Sequence, residues 1–72
     1  MERKYQDLGL VAGANLKRLI KEAGMTQEDF AWEFGVDERT VRRWTGKGIS
    51  NIYTMREIAD FFGVDVLAIL SE

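Results

Sequence analysis

Apolar residues recur along this chain with the three-to-four-residue spacing of amphipathic helices, and no stretch alternates like a β-strand. The spacing predicts an all-α fold of five short helices, at about residues 8–23, 26–34, 37–45, 51–63 and from 65 onward. The positions expected to face a common core are Ala12, Leu16, Leu19, Ile20, Ala23, Phe30, Ala31, Phe34, Val41, Trp44, Ile52, Met55, Ile58, Ala59 and Phe62.

Capping residues support these boundaries. Thr26 followed three residues later by Asp29 forms the pattern of a capping box, and Asp37 and Asp65 are suited to cap the third and fifth helices. Glycines follow the helical patterns, and a glycine ends a helix at low cost because it readily adopts a left-handed conformation. The glycines expected to act in this way are Gly24, Gly35, Gly46 and Gly63.

Length and composition limit the function. Seventy-two residues suffice for one domain with a small core, and the longest apolar run, residues 8–14, is too short to span a bilayer. The chain has no cysteine and no histidine, so it lacks the commonest metal ligands and the commonest general base. We therefore expect no catalytic activity, no metal and no cofactor, and a cytoplasmic location.

Residues 25–48 carry the most informative pattern. They contain Thr26-Gln27-Glu28, then Ala31, Phe34-Gly35-Val36, Thr40-Val41 and Trp44. This set resembles the helix-turn-helix of the phage-repressor and Cro-like family, also called XRE, and the likeness extends more loosely over residues 12–70. The resemblance implies a compact five-helix domain, similar to lambda repressor, whose third helix enters the major groove of double-stranded DNA.

The third helix has a charged face. Helical geometry places Val41 and Trp44 on one side and the charged residues on the other. The predicted base contacts are Arg39, Arg43, Arg42 and Glu38. An arginine fork reaches two acceptors on one guanine edge, and a glutamate accepts from a cytosine amino group or orients a neighbouring arginine. The alternative is a merely solvated face, with Glu38 and Arg42 as an ordinary pair one turn apart.

The net charge of −2 does not exclude a nucleic-acid partner, because DNA responds to the local face. Residues 38–48 hold four basic side chains and one acidic one. Phosphate contacts are expected from Gln27 at the start of the second helix, from Lys47 and from Asn51 at the start of the fourth helix. The predicted function is therefore sequence-specific DNA binding by a transcriptional regulator.

Assembly and a rival function follow from the remaining apolar residues. Phe61 and Leu67 lie off the core stripes and are candidates for the interface of a weak homodimer on a palindromic operator, although they could instead pack on each other. Trp32 either covers the first helix near Tyr5 or belongs to a partner surface. The rival function is accordingly a protein-interaction adaptor or antitoxin-like partner, with Glu38 and Trp32 contacting another protein.

Overall fold

The computed structural model describes the backbone of residues 4–71 and the side chains of residues 8–71. This part of the chain consists of five helices and their connections, which confirms the predicted all-α fold. The helices are α1 (Lys4–Glu22), α2 (Gln27–Phe34), α3 (Glu38–Lys47), α4 (Ile52–Phe62) and α5 (Val66–Leu70).

The predicted caps form. Thr26 Oγ1 accepts a hydrogen bond from the Asp29 amide at 3.0 Å, and the Asp29 carboxylate accepts one from the Thr26 amide at 3.1 Å. Asp37 accepts from the Thr40 amide at 2.9 Å, and Asp65 accepts from the Leu67 amide at 2.9 Å. Local sequence signals therefore determine where α2, α3 and α5 begin.

Two boundaries differ from the prediction. Helix α1 begins at Lys4 rather than Leu8, and α3 continues to Lys47 rather than ending near Thr45. Gly46 lies within α3 instead of ending it. Gly48 ends the helix with a φ of 105°, and its amide donates to the Trp44 carbonyl at 3.0 Å. A single glycine is tolerated inside α3 because it costs a helix only about 1 kcal/mol relative to alanine.

The core draws residues from every helix, and its buried apolar side chains are Ala12, Leu16, Ile20, Phe30, Ala31, Val41, Ile49, Met55, Ile58, Ala59 and Ile69. Two predicted core positions are wrong. Ala23 is exposed because α1 ends at Glu22, and Ile52 is 54% exposed at the first position of α4. Ile49, in the connection between α3 and α4, is buried instead.

Phenylalanine rings of α2 and α4 pack against one another. The Phe30 ring stacks on Phe34 and Phe62 with centroid distances of 5.0 and 5.5 Å. Trp44 packs edge-on against Phe34 at 5.9 Å, but it is half-buried rather than fully interior as predicted. These rings fix α2 against α3 and α4, because aromatic pairs combine large apolar area with defined geometry.

Two glycines of α1 allow its backbone to touch the chain around the end of α3. A Cβ atom on Gly13 would overlap the backbone oxygen of Trp44, and one on Gly9 would lie 2.9 Å from the Ile49 oxygen. The Gly9 oxygen accepts a hydrogen bond from the Ile49 amide at 3.1 Å. The position of α3 on α1 thus depends on residues without side chains.

Asn15 links α1 to α5 through buried hydrogen bonds. Its Nδ2 donates to the Ile69 oxygen at 2.6 Å and to the Ser71 oxygen at 2.8 Å. Its Oδ1 accepts from the Arg18 guanidinium at 3.0 Å. The side chain therefore satisfies carbonyls that the end of a short helix leaves without partners.

Of the helices in residues 4–71, none has both the length and the hydropathy needed to cross a membrane.

Candidate nucleic-acid interface

Helices α2 and α3 are joined by a tight turn with a glycine at its first position. Gly35 adopts a left-handed conformation with a φ of 96°. Its amide and that of Val36 both donate to the Ala31 oxygen, at 2.9 and 3.0 Å. This turn brings the chain directly into the Asp37 cap of α3, so α2 and α3 follow one another as a helix-turn-helix.

Helix α3 has one buried and one solvent-facing side. Val41 is fully buried and Trp44 half-buried, whereas Arg39, Arg42 and Arg43 are exposed. Glu38 and the arginines span an arc of about 140° around the helix axis, at about 100° per residue. The structure thus gathers the four residues predicted to contact bases on one accessible face, and their contact with DNA stays a prediction.

Two of these four residues form an ion pair. Arg42 Nη2 donates to Glu38 Oε2 at 2.8 Å, with Arg42 the more exposed partner. The hydrogen bond to Glu38 and its negative charge raise the pKa of Arg42, with a smaller contribution from Glu28. Neither Arg39 nor Arg43 pairs with a carboxylate of residues 8–71, so these two present free guanidinium groups within the described surface.

Asp37 adds a fixed negative charge at the beginning of α3. Hydrogen bonding from the Thr40 backbone lowers its pKa, followed by the Thr40 side chain and then by the charges of Arg39 and Arg43. The carboxylate therefore stays ionised as a cap at neutral pH. Capping the N-terminus of α3 is a sufficient reason for an acidic residue at position 37.

The predicted phosphate contacts lie on three different elements. Gln27 is the first residue of α2, and Lys47 is the exposed last residue of α3. Asn51 caps α4, and its Oδ1 accepts from the Tyr53 and Thr54 amides at 2.8 and 3.3 Å. Because the oxygen is engaged, the Nδ2 group is the part of Asn51 that can donate to a phosphate.

Trp32 is 84% exposed, and the part of its predicted role that concerns Tyr5 lies outside the described side chains. Trp32 borders a shallow groove of about 520 Å³. The charged residues lining that groove are Glu28, Asp29, Glu33, Asp37 and Glu38.

The two dimer candidates have different environments. Phe61 is 36% exposed, and its ring packs edge-on against Phe30 and Phe62, each at 5.0 Å. Leu67 is 65% exposed on α5. Much of Phe61 is therefore covered within the protomer, whereas Leu67 offers most of its side chain to solvent. A role for either residue in a dimer stays a prediction.

One feature escaped the sequence reasoning. Leu8 and Leu10 of α1 and Ile52 of α4 are exposed aliphatic residues that line a common groove with Arg43 and Lys47 of α3. Helical spacing placed Ile52 in the core and did not mark Leu8 or Leu10 as part of a site. Their proximity depends on how α1, α3 and α4 cross, which the pattern along one helix does not give.

Comparison with known protein families identifies one match. A family model described as helix-turn-helix matches residues 16–69, which is more than half of the chain and includes all of α2, α3 and α4. The resemblance inferred from the pattern between Thr26 and Trp44 is thereby confirmed. No curated protein and no solved structure shows significant similarity to the chain.

Proposed function

Because the chain belongs to the helix-turn-helix family, a family of DNA-binding domains, we propose that it binds double-stranded DNA sequence-specifically as a transcriptional regulator. In this proposal residues 1–72 act as one DNA-binding domain, and α3 enters the major groove. A cytoplasmic location stays a prediction from the sequence.

The observation that supports this proposal best is the arrangement of α3. Its apolar side is held in the core by Val41, and its opposite side exposes three arginines. Arg39 and Arg43 are one helical turn apart and are free to donate two parallel hydrogen bonds to guanine. We assign them as the principal base readers, with Arg42 and Glu38 as a coupled pair that reads bases or orients its neighbours.

Phosphate contacts would set the register of α3 on the duplex. We assign this role to Gln27, Lys47 and Asn51, which lie at helix ends and can donate hydrogen bonds or positive charge. The net charge of −2 predicts weak binding to unrelated sequences, because acidic residues elsewhere in the chain offset the basic residues of α3.

Two protomers would read a longer site than one. A single recognition helix contacts only a few base pairs, which is too little to specify a site in a genome. We therefore propose a weak homodimer that forms fully on a palindromic operator, with Leu67 and the exposed edge of Phe61 as interface candidates.

Selection of bound sequences from random duplex DNA tests the proposal. We expect enrichment of one motif, and affinity for it that falls with salt at a log–log slope of roughly −4 to −5 if four to six phosphates are contacted. The matched control carries Arg39→Ala and Arg43→Ala together and should enrich no motif. Absence of any enriched motif with the parent protein would contradict sequence-specific DNA binding.

One observation favours a second function. The exposed Trp32 beside five carboxylates offers a surface suited to a protein partner, as a protein-interaction adaptor or antitoxin-like partner requires. Under that proposal no duplex is enriched, and Trp32→Ala abolishes a protein complex that Arg39→Ala leaves intact. The two functions are therefore separated by which single substitution removes binding.

A further inference from the structure

An open apolar groove lies beside the C-terminal half of α3. Its volume is about 870 Å³, and it is bordered by α1, α3, α4 and α5. Ile49 and Met55 are buried beneath it, while Leu10 and Ile52 stand at its edges with exposed fractions of 50% and 54%. A concave site of this size accommodates several aliphatic side chains of a partner.

Two glycines of the groove, Gly9 and Gly48, meet where α1 passes the end of α3. A Cβ atom on Gly48 would lie 3.0 Å from the Gly9 carbonyl carbon, so the two backbones touch and leave no side chain at this crossing. Leu8, Leu10 and Ile52 surround the crossing without filling it. Clustered aliphatic residues around a concavity distinguish a binding surface from single exposed residues, which need no explanation.

The charged residues of the groove have one sign. Arg43 and Lys47 line it from α3, and no acidic residue is among the described residues that line it. A partner that places apolar side chains in the groove therefore also meets two cations one turn apart. Charge complementarity selects acidic residues next to the apolar ones.

We propose that this groove binds a segment of another polypeptide that carries aliphatic or aromatic side chains with carboxylates beside them. The apolar side chains would contact Leu10 and Ile52, and the carboxylates would pair with Arg43 and Lys47. A second copy of this chain fits less well, because pairing two grooves would bring the same cations of both copies together.

Occupancy of the groove would oppose DNA binding. Arg43 is assigned above as a base reader and Lys47 as a phosphate contact, so acidic residues paired with them would occupy the groups that DNA needs. The opposition between groove occupancy and DNA binding rests on the proposed function. A groove beside α3 would then let a second polypeptide release the protein from its operator without altering the fold.

The experiment starts by selecting short random peptides on the immobilised full chain and measuring the affinity of a labelled, enriched peptide by fluorescence anisotropy. We expect enriched peptides to combine apolar and acidic residues. Leu10→Gln and Ile52→Gln should each weaken binding about ten-fold, because each removes one apolar contact. Tyr53→Gln, an equally polar change at an exposed site on α4 outside the groove, should change affinity less than about two-fold.

Circular dichroism establishes that the variants are folded, so a loss of affinity reports the groove itself. Enrichment of basic or uncharged peptides, or unchanged affinity in both groove variants, would overturn the proposal. So would sedimentation showing that the parent self-associates and that Leu10→Gln abolishes this, because the occupant would then be a second copy.

Peptide binding is measured without DNA, so its result stands whether or not the chain binds an operator. Competition is measured separately, by adding the enriched peptide to protein bound to a selected duplex. Displacement is expected, and Leu10→Gln should keep the duplex affinity while becoming resistant to the peptide. A ternary complex of protein, peptide and duplex would overturn mutual exclusion.

Discussion

Glu38 and Arg42 form an ion pair one turn apart on α3, with 2.8 Å between Glu38 Oε2 and Arg42 Nη2. The pair lies within the exposed arginine face, so a carboxylate stands where a DNA-binding helix approaches phosphates. Of the three arginines of α3, Arg42 is engaged by Glu38, whereas Arg39 and Arg43 pair with no carboxylate of residues 8–71. The pair therefore lowers the effective positive charge of this face.

Glu38→Gln should strengthen binding to unrelated duplex DNA, because it removes a negative charge and releases Arg42. The slope of log affinity against log salt should steepen by about 1 if Arg42 then contacts a phosphate. Titrations at several salt concentrations measure both effects. Glu33→Gln, an exposed carboxylate on α2, is the matched control. An equal change in both variants would attribute the effect to net charge alone.

Arg39→Ala and Arg43→Ala should each relax base preference at particular operator positions, at a cost of about 1–3 kcal/mol there. Each arginine is expected to bond to a base edge, so its loss is felt only at that base pair. Affinity profiles over single-base variants of the selected operator measure this. An unchanged profile would mean that these arginines do not read bases.

Gln27→Ala and Lys47→Ala should weaken binding to every duplex by a similar factor, because phosphates are the same in all sequences. The same affinity profiles provide the comparison. A change confined to one operator position would show that the residue contacts a base instead.

Trp44→Ala should lower the free energy of unfolding by about 3 kcal/mol, the lower end for a large aromatic residue, because Trp44 is half-buried against Phe34. Trp32→Ala should change it by less than about 0.5 kcal/mol, since Trp32 is almost fully exposed. Urea unfolding measures both. Equal stability of the two variants would show that α3 faces the core differently.

Asp37 should make stability depend on pH below about 4. Its pKa is lowered in the folded protein, mainly by the Thr40 backbone, so its ionised form stabilises the fold above the unfolded-state pKa. That contribution is lost as the pH falls through the folded-state pKa. Asp37→Asn keeps a capping oxygen but does not titrate. Urea unfolding at several pH values should show the difference between the two proteins shrinking on acidification, whereas parallel curves would contradict the assignment.

Sedimentation with a palindromic duplex should show two protomers per site, with half-sites about 10 base pairs apart. Leu67→Lys should reduce this to one protomer, because it places a charge in the proposed interface. Ala68→Lys is the control, since it adds the same charge at the next exposed position of α5. Two protomers on DNA with both variants would exclude Leu67 from the interface.

Capping residues predicted where the helices start, because a cap bonds to a backbone amide only a few residues further along the chain. Thr26 and Asp37 were identified in this way. Predictions that depended on distant contacts were less successful. Gly46 and Gly48 are equally able to end α3 by sequence, and in the structure Gly48 has the positive φ and contacts the α1 backbone. Asn15 gave no signal, since its carbonyl partners lie more than fifty residues away in α5 and beyond.

The candidate site was predicted to a similar extent. The spacing within α3 sufficed to place Arg39 and Arg43 on the side opposite Val41, because one helix determines that geometry. It also indicated that Glu38 could pair with Arg42. The proximity of Leu10 to Ile52 could not be predicted, because it depends on the crossing of helices that are distant in sequence.

The contact between Gly13 and the Trp44 backbone fixes the angle at which α3 lies on α1. The contact lies near the C-terminal end of a helix of ten residues, which is about 15 Å long. Trp44 is about 9 Å from the first residue of α3, so a tilt of about 5° about this contact would move that residue by roughly 0.8 Å, more than the tolerance of about 0.5 Å for a precise contact. A methyl group at position 13 would force α3 away from α1. If Arg39 reads a base as proposed, a substitution on α1 would therefore change base preference without contacting the DNA.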